Sequence, residues 1–266
     1  MRRIFIRKSR LTDVAAISKI HVDTWRTTYK GILLDDWLIR EIKTMDKKYK
    51  EILEIVKNEL SCSAHNLDHV LRVYNLCMLI AKHEEHVDLE VLVPAALLHD
   101  IARVKESQDK TGEIDHAVLG SEMSVDILRD LNYEEDKINK IKHCITTHRF
   151  RSGNEPKTIE AKILFDADKL DAIGSIGIAR SFMLAGQFGQ TLWSNESLNG
   201  NMSKNTSENG RLKDVSKHSP FIEYEIKLKK IPDRLYTRTA KEIGIQRLEF
   251  MEEFFKRLEL EAEGIQ

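Results

Sequence analysis

From Tyr49 onward, apolar residues recur every three or four positions along most of the chain. Val70, Val73, Tyr74, Cys77 and Ile80, for example, fall on one face of a helix. The same spacing predicts helices over 49–60, 70–82, 89–101, 117–131, 135–147, 158–167 and 173–184. A C-terminal amphipathic helix over 233–262 is carried by Ile243, Leu248, Met251, Phe255 and Leu258. Pro94 lies inside the third helix and should mark its first turn or kink it. Loops are expected near 106–115 and 149–156, and residues 194–220, rich in Ser, Asn and Gly, read as a flexible loop long enough for a lid.

The N-terminus departs from this pattern. Ile4 and Ile6 alternate with Phe5 and Arg7 as in a short strand, and Thr12 or Asp13 then caps a helix through Val14, Ile17, Ile20, Val22 and Trp25. A strand needs partners, and few strands are evident downstream.

Composition narrows the class. The chain has 266 residues, and Lys+Arg 42 against Asp+Glu 43 gives a formal net charge of -1. Nothing in this balance favours a nucleic acid polymer or an anionic membrane as partner. Cys62, Cys77 and Cys144 form no CxxC pair, which suits a reducing cytoplasm. The longest apolar run, near Val91 to Leu98, is far too short to span a bilayer, so a soluble cytoplasmic protein is expected. A homo-oligomer is compatible with these features.

Ligand-grade side chains gather at the ends of the expected helices: His65 and His69 four apart, the doublet His99-Asp100 after an apolar run, His116, His143 and His148, then Asp166, Asp168 and Asp171. An aspartate directly after a core helix implies a counter-charge or a metal. A mixed imidazole and carboxylate set suits a divalent transition metal or Mg²⁺, and Mn, Mg, Co, Ni, Fe and Zn are not distinguished. Arg103, Lys105 and Lys169 adjoin these residues and are candidates to meet phosphate, as is Arg180; Lys105 is also a catalytic candidate. Asp171 is in reach of an orienting or general-acid role. GSIGIAR, residues 174–180, lacks the spacing of a dinucleotide-binding turn, and its glycines are expected to let a helix pack closely on the metal helices.

The stretches HNLDHVLRV, AALLHDIA and DADKLDAIG, in that order, resemble the HD-domain superfamily of metal-dependent phosphohydrolases. The resemblance covers residues 47–193 and reaches the C-terminal helix. It implies a mainly α, HD-domain helical bundle in which His69, His99, Asp100 and Asp168 hold a metal, with Asp100, a catalytic candidate, placed to bridge to a second. His65, His116 and His148 are candidates for a second metal or for substrate, and His143 for a structural or surface role. The implied reaction is hydrolysis of a small-molecule phosphoester, a nucleotide among the candidates, by metal-activated water. The stretch RFRSGNEP after His148 lacks the GYP signature of cyclic-dinucleotide phosphodiesterases. The competing class is a non-catalytic metal- or nucleotide-binding regulatory protein, disfavoured because all four signature ligands are present.

Residues 4–38 are similar to the opening strand and helices of GNAT acetyltransferases, including the placement of Trp25, Tyr29 and Gly31. The acetyl-CoA loop of that family is absent, so acetyltransferase activity is not expected. The expected organisation is a partial GNAT-like α/β appendage over 1–43 followed by an HD domain over 44–266.

Overall fold

The computed structural model describes residues 45–60, 67–149, 154–193, 214 and 218–265. The chain divides into two compact units, residues 1–50 and 51–266. The acetyltransferase-like segment lies outside the described residues, as does His65. Among the described residues every regular element is helical: α1 (Lys47–Glu59), α2 (Leu67–Ala81), α3 (Leu89–Leu98), α4 (Arg103–Gln108), α5 (His116–Asp130), α6 (Glu135–Thr147), α7 (Ile159–Asp171), α8 (Gly174–Gln187), α9 (Pro220–Ile226) and α10 (Arg238–Ala262), with single 3₁₀ turns at Leu228–Lys230 and Pro232–Arg234.

The middle of the bundle is α3. Its residues Val91 to Leu98 are buried on every side, so no polar face exists to turn outward. It packs against α2, α6 and α7. Each of its larger aliphatic side chains contributes about 1.5–3 kcal/mol through burial. Asp88 caps it by accepting from Glu90 N at 3.0 Å. Pro94 falls in the second turn, not the first, at the loss of one intrahelical hydrogen bond. The helix stops at Leu98, earlier than its periodicity suggests, and the chain turns through residues 99–102. His99 and Asp100 therefore emerge from the end of the most buried helix in the domain.

Two other boundaries differ from expectation in ways that matter. The helix α7 continues to Asp171 instead of ending at Ala167, which places Asp168 and Asp171 about one turn apart in a single helix. The expected loop at 194–220 ends sooner than its composition suggests. His218 and Ser219 are buried, Ser219 accepts from Ile222 N at 3.2 Å, and Pro220 opens α9 as a first-turn proline. The remainder of that stretch, except Asp214, lies outside the described residues. The last helix begins at Arg238, because Pro232 opens a 3₁₀ turn in the segment before it.

Gly177 allows α8 to fold back tightly after α7: a Cβ there would stand 2.2 Å from the carbonyl oxygen of Ala172. Asp166, although ligand-like in sequence, serves α10. Its carboxylate accepts from Tyr236 N at 2.9 Å, Thr237 N at 2.7 Å and Thr237 Oγ1 at 2.8 Å, anchoring the start of the last helix.

Candidate metal centre

The C-terminal ends of α3, α6 and α7 meet the N-terminal ends of α2 and α5 at one point in the bundle, and each delivers ligand-grade side chains there. His69, His99, Asp100, His116 and His148 are all buried. One donor atom each from His69, His99 and Asp100 lies within 4.8 Å of the others, and the same holds for Asp100, His116 and His148. Asp100 belongs to both groups. Its Oδ2 faces His69 Nε2 at 3.6 Å and His99 Nε2 at 4.0 Å, while Oδ1 faces His116 Nε2 at 3.3 Å and His148 Nε2 at 3.7 Å. Asp168 joins the first group, with Oδ1 3.4 Å from His69 Nε2.

The other nitrogen of every ring has a fixed acceptor. Nδ1 of His99 contacts Ala96 O at 2.8 Å, and Nδ1 of His148 contacts Ile145 O at 2.6 Å. Nδ1 of His69 contacts Asp171 Oδ2 at 2.8 Å, and Nδ1 of His116 contacts Glu106 Oε2 at 2.8 Å. With Nδ1–H donated outward by His69, His99 and His148, their Nε2 lone pairs converge inward, the tautomer a metal ligand requires, while His116 Nδ1 lies 2.8 Å from both Glu106 Oε2 and Arg103 Nη1. Paired Nε2 atoms lie 3.3 Å apart, His69 to His99 and His116 to His148. Donors bonded to one ion at about 2.0–2.2 Å stand about 3.0–3.6 Å from one another, so these spacings and this donor set suit a divalent ion in each half.

Burial pulls His69 down, but its hydrogen bonds to Asp168 and Asp171 and the Asp100 charge outweigh this and raise it to about 9. Burial lowers His99 to about 4, keeping that ring neutral. Burial opposes ionisation of Asp100 and Asp168. For Asp100 the histidines and Arg103 prevail, and for Asp168 the ammonium of Lys169 and the His69 contact do; both carboxyls are held well below the usual carboxylate range.

Outside the donors, Asp171 packs against His69. Burial pushes the Asp171 carboxyl up, but His69 and Arg72 outweigh that and lower it, leaving an anion against His69 Nδ1. It accepts from Arg72 Nε at 2.7 Å and from Arg180 Nη1 at 2.8 Å. Lys105 is not brought to the cluster: its side chain is 48% exposed and its ammonium stands 4.0 Å from Glu59 Oε2. Arg103 donates to Glu106 Oε2 at 2.8 Å, and Lys169 to Asp168 Oδ2 at 2.6 Å, so both cations border the donors. His143 stands apart, accepting from Lys157 N at 3.1 Å.

Glu106 escaped the sequence reading. Burial raises its carboxyl, yet His116, Arg103 and Arg149 bring it down to about 2, an anion fixed between the second pair of histidines and two guanidinium groups. A single glutamate six positions after the doublet carries no spacing signal; only the turn at residues 99–102 returns it beside His116. A cavity of about 310 Å³ opens beside the centre, with Arg103 and Arg180 in its wall.

The helical bundle and its histidine–aspartate cluster define a protein of the HD class, with donor groups that could hold divalent metal. Residues 66–173 match the HD domain. The chain is 31% identical over 231 residues to YpgQ of Bacillus subtilis, covering 85% of this chain and 98% of that protein. The crystal structure of YpgQ in complex with ADP superposes with a TM-score of 0.60 at 29% identity, over 82% of this chain and all (100%) of the other. An HD-superfamily hydrolase from Bacillus thuringiensis gives a TM-score of 0.60 at 26% identity, over 82% of this chain and 97% of the other. The chain belongs to the HD-domain family. These relatives lend no support to the acetyltransferase-like reading of residues 1–43. Among the described residues no helix is long and apolar enough to cross a membrane.

Proposed function

We propose that the protein is a metal-dependent phosphohydrolase that cleaves a small-molecule phosphoester, with a nucleotide as the substrate class. The observation that carries this reading is the placement of Asp100, whose two carboxylate oxygens face separate pairs of histidines. His69, His99, Asp100 and Asp168 would hold one divalent ion, and Asp100, His116 and His148 a second. When bound, such ions acidify a coordinated water and neutralise charge on phosphoryl oxygens.

The chain's own groups have distinct tasks. Asp171 holds the ring of His69 in the ligating tautomer, and Glu106 holds the ring of His116. Arg103 and Arg180 line the adjoining cavity and present fixed guanidinium groups to the phosphate. Lys169 sets a further positive charge against Asp168. The burial of the cluster keeps bulk water from competing with these contacts. That YpgQ, similar along most of its length, has been crystallised with ADP supports a nucleotide as the ligand class.

The test is phosphate release from nucleotides and simple phosphoesters by chelator-stripped protein after adding back Mn²⁺, Mg²⁺, Co²⁺, Ni²⁺ or Zn²⁺ singly, with Asp100→Ala beside it. Turnover should require metal and vanish in the variant together with most bound metal. Metal binding without turnover on any substrate would favour a binding protein, and full metal content in Asp100→Ala would refute the ligand assignment.

A further inference from the structure

One buried imidazole beside the cluster takes no part in it. The side chain of His218, 9% exposed, forms part of the cavity wall that also contains Arg103 and Arg180. Its Nε2 lies 2.9 Å from Glu223 Oε2, and Glu223 Oε1 accepts from Lys227 Nζ at 2.5 Å. Burial pushes Glu223 up, but His218 and Lys227 outweigh it and hold the carboxyl at about 2, so this partner is an anion.

Two consequences follow for the ring. A carboxylate accepts and does not donate, so Nε2 must carry the hydrogen. Lys227 already bonds the other oxygen of Glu223, so the ring needs to give the carboxylate only its Nε2–H, and the Nδ1 lone pair is left outside the triad. Among the described residues Nδ1 has no hydrogen-bond partner. The rest of the wall combines apolar residues, Leu184, Phe188 and Pro220 among them, with polar ones such as Ser181 and Gln190. The two arginines tie the cavity to the cluster, Arg180 through Asp171 and Arg103 through Glu106.

We propose that His218 is a specificity-determining residue: its Nδ1 accepts a hydrogen bond from a hydroxyl or amine on the organic group of the phosphoester, seated in the cavity while the phosphate meets Arg103 and Arg180. Glu223 is the positioning residue that fixes the ring. Substrates whose organic group presents a donor, as the sugar hydroxyls of a nucleotide do, are favoured over apolar esters of similar size, because an unmet acceptor in this wall would cost binding. The proposal rests on the phosphohydrolase reading of the neighbouring cluster.

The test separates the organic group from the phosphate. ADP and inorganic pyrophosphate are titrated calorimetrically into the full-length protein with Mg²⁺, for the native chain, His218→Gln and His218→Asn. Gln can still reach Glu223 as Nε2 does but leaves nothing at the Nδ1 position; Asn puts an amide oxygen near that position and gives up Glu223. The expected result is a loss of about tenfold in ADP affinity for His218→Gln, the order of one hydrogen bond, with pyrophosphate unchanged within about twofold. His218→Asn should retain more of the ADP affinity than His218→Gln.

Unchanged ADP binding in His218→Gln overturns the proposal. So does equal loss for ADP and pyrophosphate, or a tolerated Gln beside a damaging Asn, the signature of a purely structural imidazole. Native protein that binds pyrophosphate as tightly as ADP overturns the seating of the organic group while leaving the phosphate site intact. Native protein that binds neither ligand overturns the phosphohydrolase reading itself.

Discussion

Replacing Asp171 by asparagine isolates one contact. In the native protein Asp171 Oδ2 accepts from His69 Nδ1 at 2.8 Å and from Arg180 at 2.8 Å, and Oδ1 accepts from Arg72 at 2.7 Å. Asn preserves shape and removes the charge, so His69 keeps at best a weaker, neutral acceptor. Loss of such an orienting partner costs about 10–100-fold in metal affinity or activity. The same substitution removes one of the contacts that raise His69, so its titration should move down from about 9. Both arginines are partly exposed, 30% for Arg72 and 27% for Arg180, and water can replace their lost partner, so the fold should survive. The assay is competition for Mn²⁺ against a fluorescent chelator, with turnover measured alongside at saturating metal. A general acid would instead lose one limb of the pH–rate profile and keep its metal affinity. Native metal affinity in Asp171→Asn would refute the orienting role.

The metal-free protein should have a stability maximum near pH 6.5. His99 is lowered to about 4 in the fold, so the unfolded chain takes up its proton first and stability falls as pH drops from about 6.5 towards 4, a fall that Asp166, raised to about 6 by burial, partly offsets. His69 is raised to about 9, so its contribution, about 3 kcal/mol, is complete below about pH 6.5 and lost as pH rises through 9. Thermal melts of chelator-treated protein across this range should show both limbs, and saturating metal should flatten the alkaline one; a monotonic rise to pH 9 would contradict this. Asp166→Ala strands the Tyr236 and Thr237 amides and should cost about 2–3 kcal/mol in denaturant titrations without changing bound metal; lost metal would make Asp166 a ligand. Lys105→Ala should leave metal content and turnover within about twofold of native, and a hundredfold drop would restore it to the site.

Much of this protein is legible one residue at a time. The three- and four-residue periodicity marks most of the helices, because a helix in this bundle must bury a stripe and the stripe is written locally. The doublet His99-Asp100 stands out because polar groups rarely follow directly on a buried apolar run such as Val91 to Leu98. Boundaries are less legible: α7 outruns its expected end because Asp168 and Asp171 look like helix-stopping polar residues until their partners are known. The sequence marks Gly177 as a packing residue, but the reason, the Ala172 carbonyl oxygen 2.2 Å from any added Cβ, is a close approach that exists only in the folded chain.

What the local pattern alone determined is a helical chain with His69, His99, Asp100 and Asp168 as its ligand candidates. Which of three similar aspartates faces the histidines, which orients one, and which anchors the last helix was decided only by tertiary structure. Asp166, Asp168 and Asp171 sit on one helix within six residues, and their roles differ because α10, the donor cluster and Arg72 with Arg180 lie against different sides of it. Glu106 and the His218–Glu223–Lys227 triad emerged in the same way. A lone charged residue has no period to read, and its meaning comes from the groups that distant parts of the chain bring within 3 Å.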